Sequence, residues 1–249
     1  PAAVVQAEHA KREYVIGGNL KMAVKTKDDA VMLIRGIATK LDAAVKERGL
    51  TAKDVDIIAV VAPSFVHLDA VAGELRRMED SGEIDKGLIT LGAQDVSAYE
   101  PGAKTSEVSM EQLVDLGVKY VIVGHSERRN GDVKETSKIV NAKVKRVLQK
   151  GGIPIIAVGE TLDEREARRT FDVLATQFLE STKGLRADGL TAEDMKNIVV
   201  AYEPVWAIGT GKTATNEQAD EAQQFLRALA LNQFGAPTAA ALRIEYGGS

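Results

Sequence analysis

Cysteine is absent from this 249-residue chain. That absence excludes a disulfide framework, a cysteine-ligated zinc and a thiol nucleophile together. Neither sign of charge dominates: 32 Lys and Arg stand against 36 Asp and Glu, a formal net charge of −4. No broad basic field exists to hold a polyanion, which argues against nucleic-acid and membrane-surface binding. Long hydrophobic runs are missing too. The longest, Val55–Pro63, is interrupted by Asp56 and falls far short of a bilayer span. The first dozen residues follow a short apolar start with His9, Lys11 and Arg12, without a signal-peptide h-region and cleavage site. The expectation is a soluble protein of a reducing compartment, the cytoplasm. Aromatic residues are scarce at 4%, with a single Trp.

What is present is an alternation of short apolar runs with longer, charge-rich amphipathic segments. Strands are predicted over 14–17, 55–62, 88–93, 120–123, 154–158, 198–201 and 242–246. Helices are predicted over 28–48, 65–78, 110–116, 133–149, 163–179 and 216–231. VDIIAVVA at 55–62 is apolar nearly throughout, as a strand covered on both faces must be. Repeated strand–helix units imply parallel strands joined by helical crossovers. No Pro/Gly/Ser-rich linker divides them, so residues 1–249 are expected to form a single domain. An open doubly wound sheet and a closed (β/α)₈ barrel both satisfy this pattern. Open sheets usually place a Gly-rich phosphate turn after the first strand. Here such turns follow the sixth and seventh strands, as a barrel's phosphate site requires, and the barrel is favoured.

Four strand ends carry groups with chemical potential. Gly17-Gly18-Asn19-Leu20-Lys21 ends the first strand, where Lys21 and Asn19 are suited to an anionic substrate; the alternative is a turn with a solvated lysine. His125 follows the fourth strand in Gly124-His125-Ser126-Glu127. A short helix beginning there would point its amide groups at the ring and favour uncharged imidazole; a core histidine beside a surface ion-pair cluster is the other reading. His9 and His67 read as structural or solvated. Glu203 ends the sixth strand immediately before Pro204, which disfavours helix at Glu203 and leaves a carboxylate placed as a general base; the alternative is a buried glutamate paired with arginine. The segment Gly209-Thr-Gly-Lys-Thr suggests a P-loop, but Trp206 occupies the position of the first Walker glycine. Its late position also argues against a dinucleotide fingerprint. A flexible loop that closes over a small ligand and lends backbone amides to a phosphate remains. Gly247-Gly248-Ser249 is expected to supply further amides. Base, neutral electrophile, cation and anion cradle, with no metal-ligand cluster, suit proton transfer beside a carbonyl on a small phosphorylated molecule.

GGNLKM at 17–22, VGHSERR at 123–129, AYEPVWAIGTGKTAT at 201–215 and EYGGS at 245–249 resemble the triosephosphate isomerase family over almost the whole chain. The resemblance implies a (β/α)₈ TIM barrel that interconverts dihydroxyacetone phosphate and D-glyceraldehyde 3-phosphate without a cofactor, in glycolysis and gluconeogenesis. It implies that Glu203 removes the proton beside the carbonyl and that His125 polarises the carbonyl as a neutral ring. Lys21 would stabilise negative charge and Asn19 position the substrate oxygens. Ser126 and Glu127 would support the histidine and lysine. Gly209 and Ser249 would give amides to the phosphate, with lid hinges at 204–206 and 212–214.

Departures from the pattern are also expectations to test. Leu20 stands where the family usually has Trp, and Ala157 where it usually has Cys. The loop at 102–107, which implies a homodimer, carries Lys104 and Ser106 in place of Phe and Gly. The family continues past YGGS with an eighth strand–helix unit that this sequence does not contain, and a longer natural chain is expected. The rival functions are another phosphate-binding barrel enzyme, which would lack the GHSERR and EPVWAIGTGK pair, a non-catalytic scaffold, and an inactive fragment.

Overall fold

The first helix shows how local signals set this fold. In the computed structural model, which describes residues 12–248, α1 (Lys27–Lys46) begins where the Thr26 side chain accepts from the Asp29 N–H at 3.1 Å. Asp28 and Asp29 in its first turn complement the helix dipole. Ala30, Ile34, Ala38 and Val45 form its buried stripe, the spacing an amphipathic helix needs. Asp42 lies on that stripe too, kept polar by accepting from the Asp85 N–H at 3.0 Å and pairing with Lys46 at 2.7 Å.

Two compact units divide the described residues, 13–122 and 123–248, the latter with Arg12. The first contains β1 (Tyr14–Asn19), α1, β2 (Ile57–Ala62), α2 (Phe65–Asp80), β3 (Ile89–Ala93), α3 (Met110–Asp115) and β4 (Tyr120–Val123), whose last residue opens the second unit. β1 pairs in parallel with β2 from Tyr14↔Ile57 to Asn19↔Ala62, β2 with β3 from Ala59↔Ile89, and β3 with β4 at Gly92↔Tyr120. Val60, Val61 and Leu91 of the strands and Leu68 and Val71 of α2 are buried in the core, each such side chain contributing about 1.5–3 kcal/mol. Gly92 is required by contact: a Cβ there would stand 2.7 Å from Val60 Cγ1. His67, read from sequence as structural or solvated, is buried, with Nδ1 3.1 Å from Ser64 Oγ; His9 lies outside the described residues.

The second unit contains α4 (Ser126–Asn130), α5 (Ser137–Gln149), β5 (Ile153–Val158), α6 (Leu162–Glu166), α7 (Thr170–Ser181), α8 (Ala192–Lys196), β6 (Val199–Tyr202), a 3₁₀ turn (Val205–Ala207), α9 (Asn216–Phe234), α10 (Ala236–Ala241) and β7 (Arg243–Tyr246). β5 pairs with β6 from Ile155↔Val199 to Val158↔Tyr202, and β6 with β7 from Val199↔Arg243 to Tyr202↔Tyr246, all parallel. The ladder brings the carboxyl ends of these strands to one edge, where Gly159, Glu203 and Gly247 follow.

Two helix predictions need correction, and α8, like α10, has no counterpart among the predicted helices. The segment expected over 133–149 becomes helical only at Ser137, because Lys134 has φ +50 and Thr136 supplies the cap. The helix expected over 163–179 is two, α6 and α7, broken by Arg168 at φ +60. Hydrophobic spacing does not report a single left-handed residue. α10 starts from Gly235 at φ +89 with a proline in its first turn. Among the described residues, no helix is long and apolar enough to cross a membrane.

Ser106 stands where the family usually has glycine and adopts φ +72. A serine held there stores backbone strain that glycine does not. Ser106→Gly is expected to raise stability by about 0.5–1 kcal/mol, read as a higher urea midpoint at unchanged slope. A lowered midpoint would show that the loop gains more from the serine than it loses.

Candidate active site

Asn19, the last residue of β1, turns its Oδ1 back to accept from the Lys21 N–H at 2.9 Å. Lys21 itself sits at φ +49, a conformation that costs a lysine about 1–3 kcal/mol and persists only where the surroundings enforce it. Gln94 enforces it. Its Nε2 donates to the Lys21 carbonyl at 2.9 Å and to the Ala62 carbonyl at 3.0 Å, joining the loops after β1 and β2 through a residue just beyond β3. Gln94 was not singled out from sequence. The available signal was a polar amide immediately after the apolar end of a strand.

His125 follows β4 through Gly124, which has φ +69. It is the N-cap of α4, and its Nδ1 accepts from the Glu127 N–H at 3.2 Å. An acceptor nitrogen carries no proton, so the neutral ring holds its hydrogen on Nε2. Nε2 lies 3.6 Å from Oε1 of Glu203. The imidazole is buried, and the Glu203 side chain is 14% exposed. The Glu127 carboxylate, more than half exposed, reaches to 3.6 Å from Nδ1, while Ser126 is buried in the first turn of α4.

Glu203 is anchored by its N–H, which donates to the Val158 carbonyl at 2.8 Å. Two glycines clear its path. A Cβ at Gly159 would fall 1.8 Å from the Glu203 carbonyl oxygen, and one at Gly247 would fall 2.8 Å from its Cγ. The Gly247 N–H donates to the Tyr202 carbonyl at 2.8 Å. This glycine was expected to offer its amide to a ligand; that amide is committed to the backbone, and the missing side chain is what the site uses. Ser249, the other residue expected there, lies outside the described residues.

The loop after Glu203 is held at both ends. Glu160 is fully buried and accepts from Trp206 Nε1 at 2.9 Å, from Arg165 Nη1 at 2.9 Å and from the Tyr202 hydroxyl at 3.2 Å. The Arg165 guanidinium also lies over the Trp206 ring, 4.6 Å from its centroid. Burial, together with the Glu160 charge, pushes the Tyr202 phenol well above its ordinary pKa. At the other end the Ala214 N–H donates to the Tyr246 hydroxyl at 3.2 Å. Between these ends Gly209 and Gly211 adopt φ +69 and +73, and Thr210 Oγ1 donates to the Trp206 carbonyl at 3.0 Å. The sole Trp thus fixes the start of this loop. Glu160 and Tyr246, its counterparts in the structure, were not identified from sequence.

A carboxylate and an imidazole converge where β6 leads into a doubly tethered glycine loop, and a model of the triosephosphate isomerase family matches residues 14–249. The chain belongs to the triosephosphate isomerase family. Curated triosephosphate isomerases are similar to it over 238 residues, 96% of this chain. The protein from Treponema pallidum strain Nichols is 45% identical, with 85% of its length covered. That from Syntrophotalea carbinolica is 44% identical, with 84% covered. That from Clostridium botulinum strain Loch Maree is 41% identical, with 85% covered. The triosephosphate isomerase assignment settles the fold class as the parallel α/β, TIM-barrel type and the protein class as an isomerase of glycolysis.

Proposed function

We propose that this triosephosphate isomerase interconverts dihydroxyacetone phosphate and D-glyceraldehyde 3-phosphate through an enediolate, with Glu203 as the base and His125 as the electrophile. The observation that carries this reading is the pair itself: Nε2 of a ring whose Nδ1 is occupied by a backbone donor, 3.6 Å from a carboxylate oxygen. The Glu203 carboxylate takes the proton from the carbon beside the carbonyl. The electron pair moves into the new C=C bond, and charge develops on the carbonyl oxygen, where the His125 Nε2–H donates. His125 passes the hydroxyl proton of the neighbouring carbon to the former carbonyl oxygen, and protonated Glu203 returns its proton to the former carbonyl carbon as the new C=O forms, which completes the isomerisation and restores both groups. Dividing labour between a carboxylate and an uncharged imidazole is this family's pattern.

Lys21 supplies positive charge to the phosphorylated substrate, and Asn19 orients its oxygens. Ser126 and Glu127 support the histidine and the lysine. Gly209 and Ser249 give backbone amides to the phosphate. The loop at 209–211, between hinges at 204–206 and 212–214, closes over the intermediate and excludes water, which protects an enediolate from losing its neighbouring phosphate. We take residues 1–249 to belong to one barrel domain working in the cytoplasm, in glycolysis and gluconeogenesis.

A coupled assay that oxidises glyceraldehyde 3-phosphate as it forms tests the reading. Turnover from dihydroxyacetone phosphate is expected; a folded protein without it would end the proposal.

We further propose a homodimer through the loop at 102–107. In the first unit Met22 is 91% exposed, Val66 83% and Tyr99 52%, an apolar set whose cover by a second copy would remove it from water. Lys104 occupies the usual Phe position, with its ammonium 4.2 Å from the Tyr99 ring centroid. Sedimentation equilibrium at micromolar concentration is expected to return twice the chain mass. A monomer throughout that range would contradict the dimer.

A further inference from the structure

Arg129 has a role that the proposed mechanism leaves unassigned. It lies near the end of α4, and its side chain folds back beneath the turn that presents His125. Nε donates to the Gly124 carbonyl at 2.6 Å, Nη1 to Ser137 Oγ at 2.9 Å and Nη2 to Ser181 Oγ at 3.4 Å. Ser137 opens α5 and Ser181 closes α7, and both are buried. One planar group therefore joins the residue before His125 to two helices of the second unit, a geometry that the fork of arginine suits and the point charge of lysine does not.

Gly124 is shaped to this contact. It adopts φ +69, and a Cβ on it would stand 2.6 Å from Arg129 Nη2 and 3.0 Å from Cζ. The glycine is needed for the turn and for the close approach of the guanidinium.

The charge matters as much as the fork. The three hydrogen bonds go to a carbonyl and two hydroxyls, all neutral. Burial lowers the Arg129 pKa to about 10, still cationic at neutral pH, while the carboxylates of Glu135, Glu203 and Glu180 pull in the opposite direction. Burying a cation without a contacting anion is costly. Arg129, Glu203, Gly124 and Gly159 line the same small cleft. A fixed positive charge there favours the ionised form of the carboxylate that must accept a proton.

We propose that Arg129 is a positioning residue for the isomerisation: through the Gly124 carbonyl it fixes the direction of His125, and through its buried charge it keeps Glu203 ionised. The proposal rests on the assignment of Glu203 and His125 above.

The test compares Arg129→Lys, Arg129→Gln and the double variant Ser137→Ala/Ser181→Ala, each with kcat, KM, a pH profile of kcat/KM and a thermal melt. Arg129→Gln is expected to lose up to about 100-fold in kcat, the cost of misplacing a catalytic group by an ångström, with KM changed far less. Its acid limb should move up by about one pH unit, since removing a neighbouring cation makes a carboxylate easier to protonate. The charges facing the guanidinium from other elements, Glu135 and Glu180, are untouched in every variant. Arg129→Lys should keep the acid limb in place yet lose kcat, because charge remains while the fork is lost. The serine pair should lower the melting temperature with kcat nearly intact. Ring ¹⁵N shifts of His125 should report one Nε2–H tautomer in the parent and a mixture in Arg129→Lys.

If the serine pair and the Arg129 variants lose kcat in proportion to stability, with the acid limb fixed, Arg129 is merely structural and the proposal is overturned. An active parent with fully active Arg129 variants also overturns it. An inactive parent refutes the assigned reaction itself. Should Arg129→Gln not fold, Arg129→Lys and the ¹⁵N shifts decide.

Discussion

Glu203→Gln is expected to lower kcat by about 10³-fold or more, near the upper range for removing a general base, while a phosphate-bearing substrate analogue binds nearly as before. At ~1.36 kcal/mol per decade this corresponds to ~4 kcal/mol of barrier. The reasoning is geometric and chemical together. Glutamine preserves the side-chain shape that Gly247 accommodates, so the site should not collapse, and the backbone contacts of Glu203 with Gly159 and Val158 do not involve the side chain. What disappears is the basic oxygen 3.6 Å from His125 Nε2. A steady-state assay with calorimetric titration of the analogue separates the outcomes. Unchanged turnover would remove Glu203 from the role of base; lost analogue binding would make it a binding group.

His125→Ala carries the second large expectation, a drop in kcat of about 10²–10³-fold, the scale for losing one donor aimed at a developing oxyanion. The loss should fall on kcat more than on KM, because the donor matters most once charge has moved onto the carbonyl oxygen. Alanine also leaves the Glu127 N–H without its side-chain acceptor, which should loosen the start of α4 by about 1 kcal/mol, the usual value of an N-cap. Melting curves distinguish that modest destabilisation from the catalytic loss. His125→Asn offers a control: asparagine caps a helix well, so stability should return while activity does not. Recovery of both together would mean that the histidine served only as a cap.

Much of the site was legible because strand ends are legible. An apolar run that stops at a polar residue places that residue at a strand's carboxyl end, and this marked Asn19, Lys21, His125 and Glu203 as candidates. The helix start at His125 could be foreseen as a condition, since Ser126 and Glu127 suit a first turn. Where the pattern misled, single backbone conformations were responsible. Arg168 at φ +60 divides a helix whose hydrophobic spacing runs on without a break. Gly247 looked like an amide donor because glycine turns often are, but its N–H already serves the Tyr202 carbonyl.

The sequence by itself determined the alternation of strands and helices, the parallel topology that follows, and the residue types at each strand end. Those properties depend on periodicity and capping, which act across only a few neighbouring residues. Tertiary structure alone decided that His125 Nε2 meets Glu203, that Gly159 makes room for the Glu203 backbone and Gly247 for its side chain, that Glu160 anchors Trp206 and that Arg129 braces Gly124. All but the last join residues far apart in the chain, and the last needs two helices to hold the guanidinium. The placing of Gly159, Glu203 and Gly247 is set by how β5, β6 and β7 pair side by side, and no local preference encodes it.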